Sequence, residues 1–319
     1  MFPFRNILFP TDFSTHSRCA LKYAAAFARY GNGRVVILNA QDGPVPVNLM
    51  NLAEQELRGH ENQALLRVRA GAKELLKDSL LEGIDVEPLV LEGDPAPTIA
   101  QAAVDYGIDL ITVVTRSRRR FSRAFGGSMA EDIIAEAPCP VLATKSPERD
   151  FVEHGDGEAR IKLKRIVLAT NFRPSSVAAT QLATQISNRT GAELHAVYVI
   201  GDYFDQISAM FPEGGLAALT RLRSYIGDRM SHLADGGGRH AASHIAEGRP
   251  YEEVVKLATR IDADLIVIGT AAHNALFGGS AVLGSEVERV IRNAPCPVLC
   301  VPAAKVVTPL PALVTQPVT

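Results

Sequence analysis

The sequence predicts an α/β protein made of two doubly wound domains, each organised around a parallel β-sheet. Short apolar runs without polar alternation, such as Leu110–Val114 and Leu265–Ile268, are typical of strands covered on both faces. Segments of helical periodicity separate these runs, and strands that alternate with helices form parallel sheets with right-handed crossovers. The same order of segments occurs twice along 319 residues, a length that suits two domains of ordinary size.

Strand and helix segments alternate throughout the first half. Glycine and proline close these segments, as in Gly31–Gly33 after the first helix and Gly93–Pro95 after the third strand. The predicted elements are strands Arg5–Thr11, Val35–Ala40, Val86–Leu91 and Leu110–Val114, a helix that carries Ala20–Ala28, a long helix Leu49–Leu81 broken once, and a helix Pro97–Tyr106.

The second half repeats these elements at a nearly constant offset. Arg165–Thr170 repeats the first strand, and Asn171 follows it as Asp12 follows the first copy. Matched positions lie 155 to 159 residues apart, which is too long for a solenoid unit and indicates a duplicated domain. The further predicted elements are a helix Ala179–Arg189, a strand Glu193–Ile200, a long helix Leu216–Leu233 and a strand Leu265–Ile268.

A polar segment separates the two copies. Residues Ser146–Lys164 are charged and contain two glycines, a composition typical of a linker. The predicted domains are 1–146 and 164–303, joined by a linker over 147–163. The tail 304–319 is rich in proline and threonine, and we expect it to be disordered or draped over the surface.

Composition restricts the classes of function. The chain is 47% apolar with a formal net charge of −2, whereas a dedicated nucleic-acid binder usually carries a basic excess. No apolar run reaches membrane-spanning length, and the N-terminus lacks the pattern of a signal peptide. The four cysteines show neither a disulfide framework nor zinc-ligand spacing. We therefore expect a cytoplasmic protein with free thiols, without membrane or nucleic-acid partners.

Each half also contains a strand, a loop, a Gly-Ser turn and a helix that ends at Ala-Pro-Cys-Pro. The turns are Gly127-Ser128 and Gly284-Ser285, with serine as the expected N-cap. Free backbone N–H groups and the helix dipole at such a turn form an anion site, commonly for phosphate; an ordinary capped connection is the alternative. In doubly wound sheets ligands bind beyond the carboxyl ends of the strands, where Asp12 and Asn171 lie.

Together these motifs resemble the universal stress protein family in its tandem form. They are ILFPTD at Ile7–Asp12, two Gly-x-Pro turns, and two strand–loop–Gly-Ser–helix units followed by Ala-Pro-Cys-Pro-Val-Leu. The resemblance covers both halves but not the linker or tail. It implies two five-stranded domains of the adenine-nucleotide α-hydrolase-like type. They would form an intramolecular pseudo-dimer through the last strands, Val141–Thr144 and Val298–Val301. A homodimer of whole chains is a further possibility.

ATP-binding members of this family carry an aspartate after the first strand and a Gly-x-x-Gly-x9-Gly-Ser/Thr loop around the phosphates. The first half keeps the aspartate and the final Gly-Ser, but it has Val114 and Ser117 at the two leading glycine positions. A β-branched residue does not adopt the positive φ that glycine permits, nor does it let a phosphate approach as closely.

The second half departs from the motif differently. It keeps Gly269 and the final Gly-Ser, but it has Ala272 for the second glycine, a longer spacer, and Asn171 for the aspartate. If only one half binds, we expect the second, because Gly269 and the Gly-rich insert Phe277–Ser280 leave room for phosphate.

The resemblance implies a stress-response or signalling module that binds an adenine nucleotide, ATP with magnesium, in at least one domain and engages an unidentified protein partner. The alternatives are an interaction scaffold with two degenerate sites and, third, a weak ATPase. Familiar enzyme signatures are absent from the sequence, and we expect no catalytic residues and no resident metal. The candidate nucleotide-binding residues are Asp12, Ala40, Arg116, Gly126, Gly127, Ser128, Asn171, Val199, Gly269, Thr270, Ala272, Gly284 and Ser285.

A dense basic loop follows the fourth strand. Placed over the first crevice, it would grip phosphates or an acidic partner; a solvated loop is the alternative. Its arginines are Arg116, Arg118, Arg119, Arg120 and Arg123.

Overall fold

The computed structural model describes residues 2–41, 70–115, 129–145, 149–155, 158–201, 215–236, 241–270 and 283–303. The first domain consists of β1 Asn6–Pro10, α1 Arg18–Gly31, β2 Arg34–Gln41, β3 Asp85–Glu92, α2 Pro95–Asp105, β4 Leu110–Val114, α3 Met129–Glu136 and β5 Val141–Thr144. Two short strands follow, β6 Val152–Gly155 and β7 Glu158–Ile161. The second domain consists of β8 Arg165–Ala169, α4 Pro174–Thr190, β9 Glu193–Ile200, α5 Gly215–Gly236, β10 Ala241–Glu247, α6 Pro250–Arg260, β11 Leu265–Thr270, α7 Ser285–Asn293 and β12 Val298–Pro302.

The two domains share one ten-stranded sheet in the order β10-β9-β8-β11-β12-β5-β4-β1-β2-β3. Neighbouring strands within each domain are parallel. β5 and β12 are antiparallel, with Leu142 opposite Leu299. This sheet confirms the predicted pair of five-stranded doubly wound domains joined through their last strands. Because β5 and β12 cover each other, neither has an open edge at this junction.

Two layers of helices enclose the sheet, and the strands contribute to the core on both faces. In β1, Ile7 and Phe9 belong to the layer that contains α1 and α4, whereas Leu8 belongs to the layer of α2, α3, α6 and α7. All three side chains are fully buried, and burial of a large apolar side chain contributes about 1.5–3 kcal/mol. Burial on both faces explains why these strands are uninterrupted apolar runs in the sequence.

The segment over 147–163 contains more than the polar linker that its composition predicts. β6 and β7 form an antiparallel hairpin that packs on α1. Phe151 anchors it: this side chain is 1% exposed, and its ring lies 4.9 Å from that of Tyr23 and 5.9 Å from that of Phe27. The sequence did not predict this hairpin, because its outer residues are charged and much of its packing comes from one aromatic side chain.

Charged groups of the same segment reach both domains. Asp150 forms an ion pair with Lys22 of α1. Arg149 donates its backbone N–H to the carbonyl oxygen of Pro295 at 3.0 Å, and its guanidinium pairs with Asp262. The connection between the domains is thereby fixed to each of them.

Two other expectations need comment. Most of the long helix predicted over Leu49–Leu81 falls outside the described residues; residues 70–75 are helical, and a 3₁₀ turn over Ser79–Leu81 follows. Ala241–Glu247 was not predicted as a strand, because alternate residues of this edge strand are exposed and the segment lacks an apolar run. In the described ranges no helix combines the length and the apolarity needed to cross a membrane.

Candidate functional site

A cleft of about 280 Å³ opens at the carboxyl ends of β1, β2 and β4 in the first domain, between α2 and α3. It lies where doubly wound folds bind ligands. Two predicted site residues, Asp12 and Ala40, line it. The full lining is Pro10, Thr11, Asp12, Ser14, His16, Ser17, Leu38, Asn39, Ala40, Pro95, Ile99, Val113, Val114, Met129, Ala130 and Ile133.

Asp12 is held at the rim of this cleft by a compact turn. Its Oδ1 accepts the Ser14 N–H at 3.0 Å, and Ser14 Oγ accepts the Ser17 N–H at 3.2 Å. Partial burial opposes ionisation of Asp12, but hydrogen bonds from Ser14 and Ser17 outweigh it and leave the pKa of Asp12 below its usual range. The carboxylate is therefore charged at neutral pH and accepts hydrogen bonds from a ligand.

Backbone geometry next to Asp12 is unusual and occurs in both domains. Phe13 has a φ of 60°, and Phe172, at the matching position, has a φ of 58°. This left-handed conformation costs a non-glycine residue about 1–2 kcal/mol and therefore needs support from its surroundings. The Phe13 ring packs against Gly71, and the Phe172 ring stacks on Tyr198 at 5.2 Å. In each domain an aromatic contact fixes the turn after the first strand.

The inner wall of the cleft is apolar. Leu38, Ile99 and Ile133 are almost fully buried, and they come from β2, α2 and α3 respectively. Asn39 supports the wall from behind, because its Nδ2 donates to the carbonyl oxygen of Thr11 at 2.7 Å. An apolar wall with a few polar groups at its rim is typical of small-molecule sites.

In the second domain, the space that the missing side chain of Gly269 leaves is filled by the start of α4. A Cβ added to Gly269 would lie 2.5 Å from the carbonyl carbon and oxygen of Ser175 and 2.8 Å from the nitrogen of Ser176. Because Gly269 has no side chain, the first turn of α4 packs directly against it. Val114 occupies the matching position in the first domain, where α1 begins later, after the turn at residues 15–17.

Asn171 accepts hydrogen bonds from residues at the start of α4. Its Oδ1 accepts the Ser176 hydroxyl at 2.6 Å and the Arg173 N–H at 3.1 Å. The amide oxygen is thus engaged within the turn. Asp12 and Asn171 hold equivalent places in the two sheets, but their surroundings differ.

Glu286 bridges two helices where the first domain has its cleft. It occupies the position that Met129 occupies in the first domain, and its Oε2 accepts the Tyr251 N–H at 3.0 Å, so it joins α7 to the start of α6. Arg289 lies over the Tyr251 ring at 5.2 Å. A carboxylate in the first turn of a helix interacts favourably with the helix dipole, at a place where an anionic ligand would otherwise do so. Sequence analysis missed Glu286, although the sequence has a charged residue here and Met129 at the matching position of the first half.

A sequence model of the universal stress protein family matches residues 3–145 and 162–302. The chain belongs to this family. It is 33% identical over 152 residues to a universal stress protein from Methanocaldococcus jannaschii and 34% identical over 143 residues to one from Thermus aquaticus. Each match covers 44% of this chain, and 84% and 99% of the respective relative.

Solved structures agree over both domains of this universal stress protein. A universal stress protein from Archaeoglobus fulgidus superposes with a TM-score of 0.64 at 22% identity, covering 95% of this chain and 100% of that one. A putative universal stress protein from Pseudomonas aeruginosa gives 0.60 at 21% identity, covering 94% of each chain. At these identities the likeness establishes the fold.

The remaining candidate residues of this universal stress protein fall into two groups. In the second domain, Val199 lies near the end of β9, Thr270 ends β11 and is buried, and Gly284 precedes α7. Gly284, and not Ser285 as predicted, is the N-cap of α7. Outside the described residues lie Arg116, Gly126, Gly127, Ser128 and Ala272.

Metal and thiol chemistry receive no support from the part of the chain that is described. No group of three or more His, Cys, Asp or Glu side chains there is placed to hold a metal ion. The four cysteines are not in disulfides, and burial raises the pKa of Cys139 and of Cys300 to about 12. These two thiols are therefore unreactive packing groups at neutral pH.

Proposed function

We propose that the first domain binds an adenine nucleotide, with ATP as the leading candidate, and that the second domain does not. The observation that carries this proposal is the contrast between matching positions. The first domain has a cleft with the Asp12 carboxylate at its rim, whereas in the second domain Glu286 bridges α7 and α6 and α4 packs on Gly269. This choice reverses the preference that the sequence suggested.

The chemistry of the cleft suits a base and its sugar. The volume of 280 Å³ is near the lower end of ligand pockets, about 300–1,000 Å³, so it suits part of a nucleotide. The apolar wall covers one face of a purine, and Asp12 accepts a hydrogen bond from its amino group or from a ribose hydroxyl. Gly127, Ser128 and Arg116, the residues that the sequence assigns to the phosphates and magnesium, lie outside the described residues.

Nucleotide binding would give this chain a signalling role. The surface that the first domain presents to a protein partner would then depend on whether the cleft is occupied. A scaffold without nucleotide and a weak ATPase are the competing outcomes of the experiment below.

Calorimetric titration with ATP and magnesium tests the proposal, with matched variants in the two domains. Ala40→Val places the second-domain residue in the first cleft and narrows it, and Val199→Ala is its counterpart. Asp12→Ala removes the rim carboxylate, and Asn171→Ala is its control. Loss of a hydrogen bond to a charged group is worth about 1.5–3 kcal/mol, so Asp12→Ala should weaken binding by about tenfold or more.

We expect one ATP site per wild-type chain. Both first-domain variants should lower the ATP affinity, and both second-domain variants should change it by less than about twofold; a tenfold change in affinity corresponds to about 1.4 kcal/mol. A wild-type chain indifferent to millimolar ATP supports the scaffold instead. Binding lost only in the second-domain variants would reverse the assignment. Release of inorganic phosphate during the titration would indicate the weak ATPase.

A further inference from the structure

An ion pair crosses from the second domain to the helix that lines the first cleft. Arg292, near the end of α7, donates from Nε at 3.0 Å and from Nη2 at 2.8 Å to Oε1 of Glu131 in the first turn of α3. The Glu131 side chain is only 8% exposed. Its neighbours Met129 and Ala130 line the cleft. One short helix thus carries both the wall of the cleft and a buried carboxylate that the other domain neutralises.

The duplication shows that this contact is one-sided. At an offset of 157 residues, Glu131 corresponds to Glu288 and Arg292 corresponds to Ala135. The symmetric counterpart of the pair would join Glu288 to Ala135, where no cation is available. Glu288 instead lies 3.5 Å from Nη2 of the same Arg292. The ion pair therefore has no equivalent at the duplicated position, and its guanidinium, from the second domain, contacts α3 of the first domain.

A second contact between the two domains lies at the same end of α7. Lys145, just after β5, places Nζ 3.2 Å from the carbonyl oxygen of Arg292 and 3.4 Å from that of Ile291. A cation at the C-terminus of α7 is favoured by the helix dipole. The end of α7 is therefore held to the first domain at the residue that contacts Glu131.

We propose that Arg292 is a positioning residue for the nucleotide site of the first domain, which rests on the proposed function above. Removing one partner of a buried ion pair costs stability because the remaining charge loses a compensating contact, whereas removing both partners does not. Without Arg292, Glu131 loses two hydrogen bonds, and the first turn of α3, with Met129 and Ala130, is held less firmly. The second domain thus supports a ligand site that it does not itself retain.

Two readouts on the full-length chain test this: amide hydrogen exchange over residues 129–136 without ligand, and ATP affinity by calorimetry. Arg292→Met should speed exchange in α3 and weaken ATP binding about tenfold. Arg292→Lys should lie between wild type and Arg292→Met. The double variant Glu131→Gln/Arg292→Met should recover most of the affinity. Arg289→Met is the control, because it changes the same helix but not the contact with Glu131.

The outcomes separate the two proposals. If wild type binds ATP and Arg292→Met binds it equally with unchanged exchange, Arg292 has no positioning role. If Arg289→Met has the same effect, or the double variant binds no better than Arg292→Met, general destabilisation of α7 explains the loss and the inference is wrong. If wild type binds no nucleotide, the proposed function fails and this inference fails with it.

Discussion

Replacing Gly269 with alanine tests whether this glycine serves packing or ligand binding. The added Cβ would lie 2.5 Å from two backbone atoms of Ser175 and 2.8 Å from one of Ser176. The shorter distance is about 1 Å less than ordinary van der Waals contact. The opposing atoms belong to the first turn of α4, so no side-chain rotation relieves the overlap. Either β11 or α4 must shift.

Overpacking of a well-packed site costs about 1–3 kcal/mol, and we expect the upper part of this range because the displaced atoms are helix backbone. Gly284→Ala is the matched control. No atom of the described residues lies within 4 Å of a Cβ added at Gly284, and the φ of Gly284 is −65°. Reduced entropy of the unfolded chain stabilises such a change by about 0.4–1 kcal/mol. Alanine is a poorer N-cap than glycine, so the net change should be within about 0.5 kcal/mol.

Urea unfolding followed by far-UV circular dichroism measures both variants, since the chain has no tryptophan to report by fluorescence. A lower midpoint for Gly269→Ala at an unchanged slope gives the loss of stability. Neither variant should change ATP affinity, because both lie in the second domain. A Gly269→Ala protein that is as stable as wild type but binds ATP more weakly would refute this account and show that the glycine faces a ligand.

Two further changes test other parts of the structure. Phe151→Ala should destabilise the first domain by about 3–5 kcal/mol, since its buried ring anchors the hairpin, and Phe151→Leu should recover part of this loss in the same urea assay. His195 Nδ1 lies 3.1 Å from His244 Nε2. The pKa of His244 is lowered, mainly by burial and then by the nearby His195 and Arg260. The folded chain therefore binds fewer protons than the unfolded one, so stability should be complete above about pH 6.5 and fall as the pH drops below it. Replacing both histidines with the apolar residues of the matching first-domain positions should make the urea midpoint independent of pH between pH 5 and 8, and an unchanged pH dependence would contradict the assignment.

Sequence analysis predicted the strands that show a recognisable apolar pattern between turn residues, whether or not they are fully buried. β4 and β9 have the predicted bounds, because an uninterrupted apolar run or a clear alternation between turn residues has few alternative structures. The edge strand β10 was missed, since a strand that is half exposed resembles a loop in composition. The hairpin after β5 was missed for the same reason, apart from the signal of Phe151.

The candidate site was harder to predict than the fold. A glycine in the sequence shows that a side chain is absent but not which neighbour uses the space. At Gly269 the space of the missing side chain is filled by the backbone of α4. Likewise, the sequence showed a Gly-Ser turn before each helix, but the effect of Glu286 depends on the start of α6, which lies 35 residues earlier in the chain.

The duplicated chain carries its own comparison between scaffold and site. Where the strands begin, the two halves use the same device: Asp109 Oδ2 accepts the backbone N–H groups of Arg5 and Asn6 at 3.0 and 2.9 Å. Asp264 Oδ2 does the same for Lys164 and Arg165 at 2.7 and 3.0 Å.

At and beyond the strand ends, the halves differ at four positions that line the first cleft. The pairs are Asp12 and Asn171, Ala40 and Val199, Val114 and Gly269, and Met129 and Glu286. An aspartate that joins the starts of two strands stabilises the sheet whether or not a ligand binds, so both halves need it. Under the proposal that only the first cleft binds a ligand, the residues that line the clefts are expected to diverge between the halves. If both clefts bound nucleotide, the divergence would be expected at the surface instead. The titration of matched variants in the two domains distinguishes these cases.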